Sequence, residues 1–325
     1  MKKTAHLLAL AACLAMPMLQ PATASTDASY PERQVRLVVP FPPGSTTDAM
    51  TRFLAEQAAP ILGQSLVVSN KAGAQGAIAA SEVARAPADG YTLLVGTNST
   101  QAANLYLSDS LPYDPRKDFA AITQFTINPL VLVVRADLPV KDLTEFIEYA
   151  RARPNELNYG VGNTGSLVSA QQLNRIAGLQ AVGVNYPGSP QAITDLLGGR
   201  LHYMVTDVSV VRSHVEAGKL KALGVTTTQR VPALADVPTI AEAGLKDYEF
   251  SSAWGGLFAP AGTPAEILEK LNRAFVASLN SPEAKVFFDK QGQIVAPRSV
   301  AEFDRYVREE HATWKTLIDQ ADIGK

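Results

Sequence analysis

The sequence predicts an α/β protein of two lobes, each a mostly parallel sheet flanked by helices. Short runs rich in β-branched residues alternate with segments of helical periodicity, which is the pattern of successive βαβ units. Two extended stretches, residues 128–137 and 251–260, flank a central block with the same pattern. If the chain crosses between lobes at both stretches, residues 25–130 and 255–325 form lobe 1, residues 131–254 form lobe 2, and a cleft separates them.

The first predicted strand, Val35–Val39, leads into a predicted helix over residues 46–62. Apolar residues recur in that segment at i, i+3 and i+4, and Gly63 follows as a helix stop. Further runs rich in β-branched residues predict strands at residues 65–69, 91–96, 130–134, 157–159, 182–185, 202–206 and 220–225.

Residues that typically begin and end helices support the same alternation of strands and helices. A Ser-Pro pair at residues 189–190 is expected to open a helix that the Gly-Gly pair at residues 198–199 closes. Residues 263–266 and 299–302 have the capping-box spacing, in which a hydroxyl and an acid each bond the other's backbone N–H. A last helix with a broad apolar face is predicted over residues 300–319.

Residues 1–24 have the layout of a secretory signal peptide: two lysines, an apolar run and an Ala-Thr-Ala cleavage site that ends at Ala24. Residues 10–13 resemble a lipoprotein box, which offers Cys13 as a lipid anchor instead. We favour cleavage near Ala24, because the lipoprotein interpretation leaves the apolar residues 14–19 on the mature protein. The protein is therefore expected to be exported to the periplasm.

Composition excludes several function classes. The chain has 29 basic and 31 acidic residues and no basic run, which argues against nucleic acid or an anionic membrane surface as partner. No stretch beyond the signal approaches the length that spans a bilayer. Cys13 is the single cysteine, so the mature protein is expected to have neither a disulfide framework nor a cysteine nucleophile.

The sequence also lacks the motifs of catalysis and metal binding. Beyond the signal the histidines are His202, His214 and His311, and no two share a helix face at ligand spacing. There is no His-Glu-x-x-His motif, which metal-assisted hydrolysis would use, and no Gly-x-Ser-x-Gly motif, which acyl transfer would use. We therefore expect no metal, no cofactor and no enzymatic activity.

The turn after the first strand, within VVPFPPGSTTDAM at residues 38–50, is of the kind that presents backbone N–H groups to an anion. A phosphate loop needs a lysine before the hydroxyl residue, and none lies between Arg36 and Arg52. Nucleotide phosphate is therefore disfavoured. The Gly-rich residues 73–76 also follow a strand, and we interpret them as a packing turn in preference to a ligand contact.

Four predicted βα loops are small, rich in hydroxyl groups and almost free of cations: residues 42–48, 97–101, 160–166 and 186–189. The carboxyl ends of parallel strands meet at one edge of a sheet, so these loops are expected to converge on one site. Helix N-termini and rotatable hydroxyls can hold a carboxylate without Arg or Lys. Each hydroxyl taken singly is more often a helix cap, but their recurrence at the same edge favours binding.

Two acidic residues, Asp48 and Asp207, lie in or next to these loops. Asp48 lies in the first helical turn, where it complements the helix dipole and can bond the N–H groups of its own loop, so we expect a structural role. Asp207 follows the predicted strand at residues 202–206 and can accept a hydrogen bond from a ligand amine, a ligand hydroxyl or a bridging water.

Motifs along nearly the whole mature chain resemble those of one family. Three of them are Pro40-Phe41-Pro42-Pro43-Gly44 followed by Asp48 and Arg52, Ala88-Asp89-Gly90-Tyr91-Thr92-Leu93, and Asp195-Leu196-Leu197-Gly198-Gly199. In these the chain resembles the Bug receptors, the TctC-like periplasmic solute-binding proteins of tripartite tricarboxylate transport systems. The resemblance implies a type II-like Venus-flytrap fold with a hinged cleft. It also implies a small organic acid as ligand, and membrane permease subunits as partners of a monomeric receptor.

The resemblance and the hydroxyl-rich loops together select the candidate ligand contacts. In lobe 1 these fall in the loops after the first and third predicted strands, and in lobe 2 they fall in three further loops. The candidate ligand-binding residues are Phe41, Pro43, Gly44, Ser45, Thr46, Thr47, Asn98, Ser99, Thr100, Gly162, Asn163, Thr164, Gly165, Ser166, Val168, Tyr186, Pro187, Gly188 and Asp207.

Three departures from the family pattern bear on the ligand. Ser45 stands in place of a second glycine, Val168 in place of a usual histidine, and Pro187 in place of a lysine. The less polar lobe 2 favours a monocarboxylate, or an acid with an apolar or aromatic body, over citrate. Two alternatives stay open: a sensor of the same fold that acts on a two-component histidine kinase, and a receptor for a neutral amide or aromatic ligand.

Overall fold

The computed structural model describes residues 30–251 and 253–323 of the 325-residue chain. The predicted signal peptide, its cleavage site and Cys13 lie outside the described residues. The described chain alternates between short strands and helices, as the sequence predicts. The strands are, in chain order, β1 (Val35–Val39), β2 (Leu66–Asn70), β3 (Thr92–Thr97), β4 (Phe119–Ile127), β5 (Leu130–Arg135), β6 (Leu157–Val161), β7 (Ala181–Asn185), β8 (Tyr203–Asp207), β9 (Leu220–Val225), β10 (Trp254–Pro260) and β11 (Ile294–Val295).

The helices of the described chain are α1 (Thr46–Leu62), α2 (Ala77–Ala84), α3 (Asn104–Leu107), α4 (Leu143–Arg151), α5 (Thr164–Ala177), α6 (Ser189–Leu197), α7 (Val208–Glu216), α8 (Ala265–Leu279), α9 (Pro282–Gln291) and α10 (Val300–Ala321). Within this part of the chain, no helix combines the length and the apolar content needed to cross a membrane.

The strands form two sheets. The first has the order β11-β4-β10-β3-β1-β2, and the second has the order β7-β6-β8-β5-β9. β1 pairs in parallel with β2 and β3, and β6 pairs in parallel with β7 and β8. Both sheets lie in one unit, Pro31–Lys325, and the limits of the two lobes stay a prediction.

The α/β class and the mostly parallel sheets are confirmed, because β1–β4 point the same way in the first sheet and β6–β9 point the same way in the second. β10 lies antiparallel to β3 and β4, and β5 lies antiparallel to β8 and β9. These two strands carry the chain from one sheet to the other. Each starts at the edge where a neighbour ends, since Gly255 pairs with Thr97 and Leu130 pairs with Asp207. A strand that starts at this edge must run against the βα units that finish there.

The two crossing segments lie side by side. Asn128 N donates a hydrogen bond to Ala253 O at 2.8 Å, just before β5 and β10 begin. Two adjacent connections of this kind allow the sheets to move relative to each other while few residues change their backbone angles. The crossing segments therefore have the arrangement of a hinge.

The last helix, α10, packs against the cores of both sheets. Phe303 and Val307 in its first half belong to the core beside β10. Trp314 and Ile318 in its second half pack among the side chains of the second sheet and its helices. One helix thereby spans the junction between the two sheets.

The two predicted capping boxes have different outcomes. Ser299 caps α10 in a complete capping box with Glu302, as predicted. The capping box predicted at Thr263 is wrong, because α8 begins after Pro264 without a side-chain cap. Thr263 Oγ1 donates instead to Pro260 O at 2.8 Å, which closes the turn after β10. The Thr263 hydroxyl therefore bonds the last residue of β10 and does not cap α8.

Candidate ligand-binding site

A small cavity lies between the two sheets, at the edge where β1, β3, β6 and β8 end. Its volume is about 20 Å³, enough for one or two water molecules. All four hydroxyl-rich loops contribute to its wall, as do both crossing segments. The lining residues are Phe41, Ser45, Thr46, Thr47, Thr97, Asn98, Ser99, Asn128, Gly162, Asn163, Ser189, Asp207, Ala253 and Trp254.

The loop between β1 and α1 brings a helix N-terminus to the cavity. Ser45 is the N-cap of α1, and its hydroxyl accepts a hydrogen bond from Asp48 N at 3.2 Å. Thr46 and Thr47 are the first two helical residues, whose N–H groups have no partner within the helix itself. This end of α1 therefore offers the cavity backbone N–H groups, hydroxyls and a partial positive charge.

Asp48 holds this loop in shape and does not line the cavity. Its carboxylate accepts hydrogen bonds from Gly44 N at 3.0 Å and Asn70 Nδ2 at 2.9 Å, and it pairs with Arg52 at 2.9 Å. Burial opposes ionisation, but these three partners together hold the pKa of Asp48 below its usual value. The structural role predicted for Asp48 is confirmed. The N–H of Gly44 is already bonded here and is not free for a ligand.

The loop after β3 contributes Thr97, Asn98 and Ser99 to the wall. Thr97 Oγ1 is buried and has no hydrogen-bond partner among the described residues. Thr100 turns back on its own loop instead, because its Oγ1 accepts a hydrogen bond from Thr97 N at 3.0 Å. Thr97, in place of Thr100, therefore supplies an unused hydroxyl in this loop.

Two helices of the second sheet also begin at the cavity. Asn163 caps α5, since its Oδ1 accepts from Ser166 N at 2.8 Å, while its Nδ2 donates to Asp207 Oδ2 at 3.3 Å. Ser189 is the first residue of α6, and its Oγ accepts from Thr206 Oγ1 at 3.3 Å. Ser166 Oγ is buried and, within the described chain, has no partner. The N-termini of α1, α5 and α6 thus converge on one small space.

Asp207 is the only ionisable side chain among the described residues that line the cavity. It is 6% exposed, and burial raises its pKa to about 6. Hydrogen bonds from Asn163 and Thr46 favour the charged form but do not outweigh the burial. The cavity therefore combines three positive helix ends with one acid that changes its charge close to neutral pH.

Hydrogen bonds join the two walls directly. Thr164 Oγ1 donates to Ser99 Oγ at 2.7 Å, and Asn98 Nδ2 donates to Thr164 Oγ1 at 3.3 Å. Farther out, Thr46 Oγ1 and Ser209 Oγ are hydrogen-bonded at 2.7 Å. Because the walls bond each other, the enclosed volume is small. A ligand of more than a few atoms requires these contacts to separate.

Gly188 and Pro42 form a further close contact between the two halves. A Cβ atom at Gly188 would lie 2.6 Å from Pro42 Cδ. The φ angle of Gly188 is −178°, which is extended backbone that any residue adopts. The obstacle to a side chain at this position is therefore the opposite wall and not the local backbone.

We expect Gly188→Ala to weaken ligand binding about tenfold and to leave the melting temperature of the free protein nearly unchanged. Overpacking at a contact costs roughly 1–3 kcal/mol, and here only the closed arrangement bears that cost. Calorimetric titration and thermal unfolding measure the two effects, with Gly198→Ala as the control because a Cβ there comes no closer than 3.3 Å to a neighbour. An equal loss of stability and affinity in Gly188→Ala would contradict the expectation.

The predicted site residues that do not line the cavity fall into two groups. The first group stays close to it: Thr164, Gly165 and Ser166 form the first turn of α5, and Gly188 contacts Pro42. Pro43 and Gly44 lie on the exposed side of the first loop. These residues shape the wall without forming its surface.

The second group lies away from the cavity. Val168 is fully buried in the core of the second sheet, because it lies one helical turn beyond the end of α5 that faces the cavity. Tyr186 OH donates to Asp195 Oδ2 at 2.8 Å, and Pro187 is exposed. Thr100 is bonded within its own loop. A ligand preference inferred from Val168 or Pro187 therefore has no support in the geometry of the cavity.

Five residues that line the cavity are not among the ligand contacts predicted from the sequence. Thr97 and Ser189 were recognised as parts of the hydroxyl-rich loops but not as candidate ligand contacts. Asn128, Ala253 and Trp254 lie on or beside the crossing segments. Because crossing segments border any cleft between two lobes, their positions in the sequence were the signal that could have identified them.

A buried acid on α10 supports the wall behind Trp254. Glu310 accepts hydrogen bonds from Trp254 Nε1 at 2.7 Å and Trp314 Nε1 at 3.2 Å, and burial raises its pKa to about 7. Trp254 N in turn donates to Asn98 Oδ1 at 3.4 Å, so Glu310 is connected to the cavity through one tryptophan. This support joins residues far apart in the sequence, and the local sequence pattern contains no signal for it.

Two sheets joined by two adjacent crossings, with a polar cavity at their facing edges, define a two-lobed α/β solute-binding protein. Residues 50–323 match the family model described as "Tripartite tricarboxylate transporter family receptor", TctC. The chain belongs to this receptor family.

Individual proteins of the family are similar over nearly the whole chain. BugT of Bordetella pertussis (strain Tohama I) is 34% identical over 295 residues, 89% of this chain and 90% of BugT. Among solved structures, Rpa4515 of R. palustris with adipate has a TM-score of 0.88 and 38% identity, covering 90% of this chain and 99% of that one. MatC (Rpa3494) of Rhodopseudomonas palustris with bound malate has a TM-score of 0.84 and 35% identity, covering 89% and 100%.

Proposed function

We propose that this receptor captures a small organic carboxylate in the cavity between its two sheets. The observation that carries the proposal is the convergence of three helix N-termini on a cavity whose described lining contains no Arg or Lys. Partial positive charges and unpaired N–H groups at helix ends hold an anion without a fixed cation. The buried hydroxyl of Thr97, which lines the cavity and has no partner among the described residues, supplies a further donor.

Similar proteins support a carboxylate as the ligand class. Rpa4515 is described with adipate and MatC with malate, and both are more than 30% identical to this chain. A site built from helix ends and rotatable hydroxyls suits acids of different shapes, because the recognition of the carboxylate does not depend on the rest of the molecule. The ligand of this receptor is accordingly proposed to be an acid of related size.

The remaining parts of the proposal concern location and partners. We propose that residues 1–24 direct export to the periplasm and are removed near Ala24, and that the loaded receptor delivers its ligand to membrane permease subunits. We also propose that it acts without catalysis and as a monomer. The match to a family of solute receptors supports the absence of catalysis.

Asp207 favours a second candidate ligand class. A charged carboxylate inside the cavity repels an anion but accepts a hydrogen bond from an amide, amine or hydroxyl group. A neutral ligand with such a donor therefore competes with an acid as the natural ligand. A direct comparison of the two classes decides between them.

A thermal-shift screen of the purified receptor tests the proposal. The screen contains mono- and dicarboxylates together with neutral amides of matched size. A true ligand at 100 times its dissociation constant adds about 2.7 kcal/mol to the free energy of unfolding, which is a clear rise in melting temperature. We expect several carboxylates to produce that rise.

The compounds that raise the melting temperature distinguish the two candidate ligand classes. Stabilisation by neutral amides alone would reject the carboxylate proposal in favour of the second class. Stabilisation by no compound of either class would leave both candidates without support. Turnover of a bound acid, followed by chromatography of the incubated mixture, would contradict the proposed absence of catalysis.

A further inference from the structure

A larger chamber that opens to solvent lies next to the small cavity. Its volume is about 410 Å³. α1 contributes Ala49 to its wall, α6 contributes Ile193 and Leu197, and α7 contributes Val210 and His214. This space, called the outer chamber below, is about twenty times larger than the cavity.

The outer chamber and the cavity share part of their walls. Ser45 and Thr46 line both spaces. Thr46 Oγ1 is hydrogen-bonded at 2.7 Å to Ser209 Oγ, and Ser209 lines the outer chamber. Thr46 also bonds Asp207 on the cavity side. Hydroxyl side chains turn by rotation about one bond, so the hydrogen bond between Thr46 and Ser209 can break without a shift of either helix.

The walls of the outer chamber suit an aliphatic chain that ends in a polar group. Ile193, Leu197 and Val210 form an apolar side, and Leu197 is 38% exposed, which leaves apolar surface for a ligand to cover. His214 also lines the chamber. It is five residues beyond Ser209 on α7, or about 7.5 Å along the helix, the length of an extended chain of about six methylene groups.

We propose that the outer chamber is a second binding subsite, which takes the aliphatic body and the polar end group of a medium-chain acid. This inference rests on the proposed function and adds the length and the second functional group of the ligand. The carboxylate lies in the cavity, which has room for little else. The body passes between Thr46 and Ser209, and the imidazole of His214 bonds the end group. Dicarboxylates and ω-hydroxy acids of about eight carbons meet both requirements.

Filling the outer chamber tests the inference. Ala49→Phe places a ring in the chamber, and Ala59→Phe is the matched control, a half-buried alanine of the same helix outside both spaces. Calorimetric titrations use succinate as the short acid and suberate as the long one. We expect Ala49→Phe to weaken suberate binding about tenfold, the effect of excluding two methylene groups, and to change succinate binding less than about twofold. Ala59→Phe is expected to change neither.

A second variant tests the end group. His214→Leu is expected to weaken suberate binding about tenfold and to leave the binding of octanoate, which has the same chain length without the second carboxylate, unchanged. The contrast between the two acids separates loss of a polar contact from loss of the fold. An equal effect on both acids would overturn the role of His214.

The outcomes distinguish this inference from the proposed function. Tight binding of succinate without binding of suberate would overturn the subsite and leave the receptor function intact. Equal weakening of both acids in Ala49→Phe would also overturn it, because the two spaces would then not be separate subsites. Binding of no carboxylate at all would reject the proposed function and the inference with it.

Discussion

Carboxylate affinity is expected to fall about tenfold per pH unit as the pH rises above about 6, because Asp207 must take up a proton when the anion binds. Two unit charges about 4 Å apart interact with about 4 kcal/mol at an effective dielectric constant of 20. The bound anion therefore raises the pKa of Asp207 above the value of about 6 that burial gives it in the free protein. Between these two pKa values, each increase in pH makes the required protonation less favourable.

Proton uptake at Asp207 can be measured directly. Titrations at pH 7.5 in buffers with different ionisation enthalpies give the number of protons taken up, and we expect about one per ligand. Asp207→Asn, which keeps the shape and an acceptor oxygen, is expected to bind with no proton uptake and no dependence on pH. Asp236→Asn, an exposed acid outside the cavity, is the matched control and should behave as the unmodified protein.

The opposite result would indicate a different class of ligand. Binding that is independent of pH and takes up no proton would mean that Asp207 stays charged in the complex. A charged Asp207 beside the ligand favours a compound with an amide, amine or hydroxyl donor at that position. The experiment therefore tests the electrostatics of the cavity independently of the screen of ligands.

Glu310→Gln is expected to raise the free energy of unfolding at pH 8 by about 3 kcal/mol and to change it little at pH 4.5. Burial raises the pKa of Glu310 from the usual 4.5 to about 7, so the folded protein binds a proton that the unfolded chain releases. The stability gained from that proton is complete below pH 4.5 and is lost as the pH rises through about 7. Glutamine stays neutral throughout and still offers an oxygen to the two tryptophan N–H groups.

Urea unfolding at several pH values measures this effect. Glu269→Gln is the matched control, because Glu269 is an exposed residue of α8. Asp207 also has a raised pKa and contributes to the pH dependence of the unmodified protein, so the difference between Glu310→Gln and that protein is the relevant quantity. Equal pH dependence in both proteins would show that Glu310 does not bind the proton.

Local sequence patterns were sufficient for most of the elements. β1 and β9 have the predicted limits, and α6 begins at the predicted Ser189. β4 was missed, because buried polar residues such as Gln124 interrupt its apolar pattern. Gln124 is tolerated there because Arg298 Nε donates to its Oε1 at 2.6 Å, across 174 residues of sequence. Because Arg298 is so distant in sequence, the residues of β4 alone give no indication of this hydrogen bond.

Strand direction is a second property that local patterns do not contain. The sequence predicts β5 and β10 as extended stretches, and their direction follows only from the crossing between sheets. The candidate site shows the same division. The hydroxyl-rich loops predicted from the sequence line the cavity, but the orientation of each side chain depends on where its helix starts. Val168 and Thr100, which lie close to the site in sequence, consequently point away from the cavity or bond within their own loop.

The chain contains two tryptophans, and both donate their indole N–H groups to the carboxyl group of Glu310. One of them, Trp254, also lines the cavity. All tryptophan fluorescence of the protein therefore originates beside a single buried carboxyl group, which Trp254 joins to the cavity wall. We expect tryptophan emission to change both with the ionisation of Glu310 and with ligand binding at the cavity, which would allow occupancy to be measured without an attached dye.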